Sequence, residues 1–164
     1  MKNLFEFKRG DSLYTFALER GDKNYEELEP LYRQHYSEMR KRLKKDGVNI
    51  SDYNPNLREY FKAFSGGWLL NFVIRLNSKP VGYSNVYITN DMHNSDLIAQ
   101  EDTIYVHPDH RNGVGRKLVK TILHELERRG VVRASMTAIT DTRATNLWRR
   151  LGFRAVATQM IYVF

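Results

Sequence analysis

There is no cysteine in the chain, which excludes disulfides, thiolate metal sites and a cysteine nucleophile and leaves any catalysis to other side chains. Long apolar runs are missing too. No window reaches the length that spans a bilayer, and the opening Met1-Lys2-Asn3-Leu4-Phe5-Glu6 lacks the uninterrupted apolar stretch of a secretion leader. The expected location is therefore the cytoplasm. With no internal repeat, low-complexity tract or linker, the 164 residues read as one domain, 1–164, of a size that builds its own core. Apolar residues at 41% and charged residues at 27% are ordinary for a globular protein.

Acid is in deficit: 19 Asp and Glu stand against 26 Lys and Arg, a net charge of +7. Such a chain attracts polyanions, whether a nucleotide or nucleic acid, although solubility alone also explains the excess.

Periodicity divides the chain into alternating elements. The β-favouring run from Asp11 to Leu18 predicts a first strand. Asn24 and Glu27 are spaced as a capping box, and Leu28, Leu31, Tyr32, His35, Met39 and Leu43 then recur at helical intervals. That helix ends near Asp46-Gly47 and either kinks or begins at Pro30, which lacks a backbone donor. Asn54-Pro55 opens a second helix through Leu57, Tyr60, Phe61 and Phe64, stopped at Ser65-Gly66-Gly67. Strands are expected over Trp68–Leu76, Val81–Ile88 and Leu97–Val106 as an antiparallel meander. A helix opened by Gly113 and Gly115 runs to Gly130, followed by a strand from Val132 to Ala138, a short helix from Thr142 to Leu151 and a last strand from Phe153 to Phe164.

The chemistry concentrates in Ile104-Tyr105-Val106-His107-Pro108-Asp109-His110-Arg111-Asn112-Gly113-Val114-Gly115-Arg116-Lys117-Leu118, a strand passing through a basic glycine loop into a helix. A helix start presents unpartnered N–H groups and partial positive charge, and glycine lets a phosphate approach the backbone. Arg111, Arg116 and Lys117 add formal charge. A third glycine is missing, with Leu118 in its place, so this is no dinucleotide fingerprint; Lys117 does not follow a glycine, so it is no Walker loop. Further on comes Asp141-Thr142-Arg143-Ala144-Thr145-Asn146-Leu147-Trp148-Arg149-Arg150-Leu151-Gly152-Phe153.

These two segments, in this order, resemble the Gcn5-related N-acetyltransferase (GNAT) family across Glu101 to Phe153. The resemblance implies an α/β GNAT-type acyl-CoA N-acyltransferase fold, with a mixed central sheet of six to seven strands and about four helices on both faces. It implies an enzyme that moves an acetyl group from acetyl-coenzyme A to a primary amine of a small molecule or protein, with no metal. Backbone groups of Ile104, Tyr105 and Val106 would hold the pantetheine arm as an added strand. The pyrophosphate would sit on the amides of Arg111, Asn112, Gly113, Val114, Gly115 and Arg116, and Asp141 and Asn146 would meet the cofactor from the second motif. A bound thioester is already activated, so the protein must orient both reactants, assist deprotonation and stabilise the oxyanion.

The chain departs from the family pattern in three places. Its loop is one residue short when Pro108 and Gly113-Val114-Gly115 are both matched, so either His110 or Arg111 takes the place of the family's first basic or Gln residue, and Arg111 is expected to serve. Asp141 stands where asparagine is usual. Trp148 stands where many members carry the tyrosine that protonates the leaving thiolate, and an indole N–H is no usable acid; Tyr162 or Tyr105 are substitutes. Asp102 and Glu101 are the candidate general bases, and alternation puts Asp102 on the face of Ile104 and Val106, with Glu101 opposite. Either is equally readable as a strand-edge carboxylate paired with a base.

His107 and His110 lie in the loop without a ligand set around them, so no metal site is expected. Tyr32, Tyr36, Tyr60, Phe61, Phe64 and Trp68 flank the acceptor side implied by the resemblance, as core or as pocket lining. Two other readings stay open: a non-catalytic relative that binds coenzyme A or a partner, and a nucleic-acid binder or modifier using Arg40-Lys41-Arg42-Leu43-Lys44-Lys45 and Arg149-Arg150. The expected assembly is a monomer or homodimer, without a membrane partner.

Overall fold

A computed structural model describes residues 1–138 and 142–163. A hairpin opens it, strands β1 (Lys2–Arg9) and β2 (Ser12–Glu19), and helices α1 (Gly21–Lys45) and α2 (Leu57–Ser65) follow. Then come β3 (Leu69–Leu76), β4 (Lys79–Asn90) and β5 (Leu97–Val106), a 3-10 turn at Pro108–His110, α3 (Val114–Arg128), β6 (Arg133–Ser135) and α4 (Thr142–Arg150). The strands form one six-stranded sheet in the order β1-β2-β3-β4-β5-β6. Neighbours are antiparallel through β5, whereas β5 and β6 are parallel.

Helices cover both faces. Leu118, Ile122 and Leu126 of α3 pack with Phe16, Leu70, Phe72, Ile74 and Val86 on one face. Leu28, Leu31 and Tyr32 of α1 meet Val73, Tyr83 and Tyr105 on the other, and Ala63 and Phe64 of α2 meet Leu69 there. Each strand of the meander therefore alternates its side chains between two cores, as the two-residue repeat dictates.

Several boundaries differ from the expected ones for local reasons. β1 precedes the strand at which the fold was expected to begin; Phe5 and Phe7 alternate with Glu6 and Lys8, and Gly10 at φ 57° makes the turn into β2. α1 starts at Gly21 and continues through Pro30. Asn24 does not cap it, because the helix has already begun at Gly21; its side-chain amide donates to Glu19 at 2.8 Å and Asn71 at 3.1 Å. A Cβ at residue 21 would lie 2.6 Å from the Phe64 ring, so glycine lets α1 and α2 approach. Asn56, rather than Asn54, caps α2 by accepting from the Glu59 amide at 3.3 Å.

The largest departures lie at the end. The strand expected over Val132–Ala138 is paired only over Arg133–Ser135. The strand expected from Phe153 is not formed over 153–163, and residues 154–163 are exposed. β-favouring side chains do not make a strand unless a ladder partner takes up the backbone groups.

Candidate active site

β5 pairs with β4 from end to end, from Leu97 opposite Asn90 to Val106 opposite Gly82. β6 pairs with β5 only from Ile98 opposite Arg133 to Gln100 opposite Ser135. Beyond that point the parallel strands part, and among the described residues the outer edge of β5 from Glu101 to Val106 has no neighbouring strand. At the apex of this wedge the Glu101 carboxylate accepts from the Thr137 amide at 3.0 Å. The Trp148 indole N–H donates to the Thr137 carbonyl at 3.3 Å.

β5 carries a bulge at this height. Thr103 opposes Asn85 and Glu101 opposes Val86, which leaves Asp102 as the extra residue. The bulge overturns the expected alternation. Glu101 shares a side with Val86 and the α3 core, while Asp102 accepts from the Tyr60 hydroxyl of α2 at 3.2 Å on the opposite face. Asp102 and Glu101 still exclude each other across the sheet, but Asp102 no longer sides with Ile104, whose partner Ser84 lies toward α3. Burial raises both carboxyls, Glu101 to about 7 and Asp102 in the same direction.

Around Asp102 the α1/α2 face is aromatic and polar. Trp68 stacks on Tyr87 with ring centroids 5.8 Å apart, and Tyr32 meets Tyr83 edge-on at 4.4 Å. Burial pushes the Tyr60, Tyr32 and Tyr83 hydroxyls above their ordinary range, with Asp102 adding to each, so all three stay protonated donors. A row of polar side chains crosses the sheet in register beneath them: Glu19, Asn71, Asn85 and Thr103. Asn71 donates to Asn85 at 2.8 Å and to Tyr32 at 3.4 Å. The row ends at the bulge on Thr103, whose hydroxyl is buried and has no hydrogen-bond partner among the described residues.

After β5 the chain turns through Pro108–His110 into α3. The His107 ring accepts from the Asp109 amide at 3.4 Å, and Gly113 at φ 95° leads into the helix. A Cβ there would meet nothing, so conformation rather than space demands the glycine. A Cβ at Gly115 would meet only Val106 at 3.7 Å, so the backbone stays approachable. Lys117 makes the first helical bond, to the Gly113 carbonyl at 3.3 Å. The amides of Val114, Gly115 and Arg116 therefore have no acceptor within α3.

The loop's charged side chains are arranged differently from the expectation. Arg111 folds back, donating from Nε to the Val106 carbonyl at 2.8 Å and from Nη2 to Glu38 of α1 at 2.6 Å, while its own amide bonds the Pro108 carbonyl at 3.2 Å. Lys117 places its ammonium 4.5 Å from the Phe7 ring centre. Arg116 is exposed on the first turn. The two loop histidines have partners: His110 meets the Tyr14 hydroxyl at 2.9 Å, and His107 lies 3.6 Å from the Asp109 carboxylate.

The remaining sequence-predicted residues scatter. Tyr105 donates to Glu38 at 2.5 Å and stacks on His35, whose burial pushes its imidazole down to about 4. Asn146 is exposed on α4, and Tyr162 is exposed in the strandless segment after it. Asp141 lies outside the described residues. Trp148 is buried and packs against Phe153 at 5.8 Å. Sequence reasoning missed Glu38 and the Asn71–Asn85 pair. The asparagines had a visible signal, an amide side chain inside each of two strands, between Leu70 and Phe72 in β3 and between Ser84 and Val86 in β4; Glu38, one of many charged residues along a long helix, had none. Among the described residues, no group of three or more His, Asp or Glu side chains is placed to hold a metal, and no helix is long and apolar enough to cross a membrane.

The overall fold recurs in solved structures. The chain superposes with a TM-score of 0.67 on a ribosomal-protein-alanine N-acetyltransferase from Brucella melitensis biovar Abortus 2308, at 18% identity, covering 92% of this chain and 99% of that one. An aminoglycoside acetyltransferase, meta-AAC0020 from an uncultured soil metagenomic sample, solved with sisomicin, gives 0.68 at 17% identity, over 93% and 95% of the two chains. A putative acetyl transferase from Pyrococcus furiosus gives 0.64 at 20%, over 92% and 99%. At these identities the likeness is one of fold. No curated protein sequence matches the chain. The sequence profile of the Acetyltransferase (GNAT) family, however, matches residues 22–153, from the first turn of α1 through the wedge and glycine loop to Phe153, so the chain belongs to that family.

Proposed function

We propose that the protein transfers an acetyl group from acetyl-coenzyme A to a primary amine of a small molecule or protein. The observation that carries this reading is the continuity of β5's unpaired edge, Glu101 to Val106, with the open amides of Val114, Gly115 and Arg116. An extended amide-bearing arm fits the first and a diphosphate fits the second. The backbone of Ile104 and Tyr105 would hold the arm, with Val106 contributing less because Arg111 occupies its carbonyl.

Acetyl-coenzyme A supplies an activated thioester. The chain's own part is to receive and deprotonate the amine. Asp102 is the base we assign, because it faces α2 beside Tyr60 and Tyr87, with its proton affinity raised by burial. The amine attacks the thioester carbonyl, Asp102 accepts the amine's proton, and the carbon–sulfur bond breaks to release coenzyme A thiolate. That thiolate takes its proton from solvent or from a tyrosine; Tyr162 is the residue to test, since Tyr105 is committed to Glu38.

A thiol-release assay over a panel of amines, with calorimetry for coenzyme A, tests the reading. Turnover of at least one amine is expected. Failure to bind coenzyme A would overturn it. Binding without turnover would favour a non-catalytic relative, a reading encouraged by Trp148 at the usual tyrosine position. Binding to nucleic acid that weakens steeply with salt and survives removal of coenzyme A would favour the third reading.

A further inference from the structure

The wedge has a structural problem that the family's chemistry does not address. Two parallel strands that separate leave backbone groups facing each other at the apex with no ladder to satisfy them. Thr137, two residues beyond the last paired position of β6, is where this occurs. Its N–H is taken by the carboxylate of Glu101 from β5, and its carbonyl by the indole of Trp148 from α4. Both side chains are buried and come from opposite walls.

We propose that Glu101 and Trp148 are positioning residues that clamp Thr137 and thereby fix the opening between β5 and the chain after β6, where the thioester arm is held; this rests on the acetyl-coenzyme A reading above. Glu101 replaces the missing ladder bond with a longer one, which holds the strands together at the apex while keeping them apart. Trp148 gives the exchanged tyrosine position a different task. Its indole donates one fixed hydrogen bond, its ring packs against Phe153, and the helix α4 is tied to the wedge floor.

The clamp role and the base role of Glu101 separate experimentally. A base must ionise, whereas a clamp needs only an oxygen that accepts from Thr137. Glutamine retains that acceptor without a titrating proton. The side chain lies on the α3 side of the sheet, away from Tyr60 and the α2 face on which Asp102 sits.

The experiment compares the full-length protein with Glu101→Gln, Glu101→Ala, Trp148→Phe and the Glu101→Ala/Trp148→Phe double variant. It reads KM for acetyl-coenzyme A and kcat between pH 6 and 9, together with hydrogen exchange at the Thr137 amide. Glu101→Ala is expected to raise KM about tenfold and to speed Thr137 exchange comparably, the scale of one buried hydrogen bond. Glu101→Gln should restore both to within about threefold of wild type, with an unchanged pH profile. Trp148→Phe should move KM the same way, and the double variant should fall short of the product of the two single effects, since both act through one residue.

Two results overturn the clamp. One is Glu101→Gln as inactive as Glu101→Ala with a limb of the pH profile lost, which would make Glu101 the base. The other is Glu101→Ala leaving KM and Thr137 exchange unmoved. A wild-type protein that binds no coenzyme A sinks the underlying reading instead, and is recognised before any variant is compared.

Discussion

The two faces of the sheet are built from different materials. Beneath α3 the strands present Phe16, Phe72, Ile74 and Val86 to Leu118, Ile122 and Leu126, an aliphatic and aromatic core without a polar row. Beneath α1 and α2 the same strands present Glu19, Asn71, Asn85 and Thr103 in register, capped by tyrosines and ending at Asp102. Burying asparagines costs free energy unless every polar group is matched. A protein that needed only stability would have used the first material twice. The α3 face holds the fold, and the α1/α2 face sets the environment of a carboxylate.

Substitutions should divide along that line. The largest effect is expected from Asp102→Asn, which should lower kcat about 10²- to 10⁴-fold without lowering the melting temperature, because burial already disfavours the charge it removes. Activity intact in this variant would remove Asp102 from the mechanism and blur the contrast between faces.

On the other face, Leu118→Ala should destabilise by about 2–5 kcal/mol in urea denaturation, the range for a fully buried leucine. Equal losses from Leu118→Ala and from Tyr32→Phe, which keeps its ring and loses one hydroxyl, would show that the polar face contributes as much to stability as the apolar one.

Glu125 anchors the apolar face to β1. Its carboxylate receives Arg128 at 2.9 Å, Lys2 at 3.0 Å and Arg129 at 2.9 Å, and Arg128 foremost holds it down at about 2. A folded value below the unfolded one means stability that is full above about 4.5 and is lost as pH falls toward 2. Glu125→Gln should remove about 1–3 kcal/mol of that pH dependence, read from denaturation curves between pH 7 and 3.

Glu101 has the opposite sign. Its folded value of about 7 exceeds its ordinary 4.5, chiefly through burial, with the Asp102 charge adding to the rise. The folded state therefore holds the proton more tightly, and stability declines as pH rises from 4.5 to 7. Glu101→Gln should melt a few degrees above wild type at pH 8, an effect of about 1–2 kcal/mol, and the gap should close by pH 4.5. A gap that persists at low pH would mean that the amide stabilises by packing rather than by removing a charge.

Much of this was legible in the chain. The antiparallel meander from Leu69 to Val106 and helix α3 follow from period-two and helical patterns, and the glycine loop was visible as the strand-to-helix connection between β5 and α3. Other features were not legible because they depend on partners distant in sequence. The bulge at Asp102 appears only when β5 is laid against β4, and one extra residue reverses a face assignment made by counting. Arg111 was expected to serve the loop as a charge, yet Glu38 on α1 and the Val106 carbonyl draw it away. The segment after Gly152 reads as a strand by composition and forms none over the described residues, since composition cannot supply a ladder.

The order of elements from β2 to α4, the two-sided hydrophobic pattern and the glycines that open α3 are properties of short stretches, governed by backbone conformation and local periodicity, and the sequence determined them unaided. Which carboxylate faces the α2 aromatics, which side chains close the wedge at Thr137, and which arginine remains at the loop were decided by tertiary structure. Those outcomes depend on register between strands and on burial, and both arise only when residues far apart in the chain compete for the same space and the same hydrogen bonds.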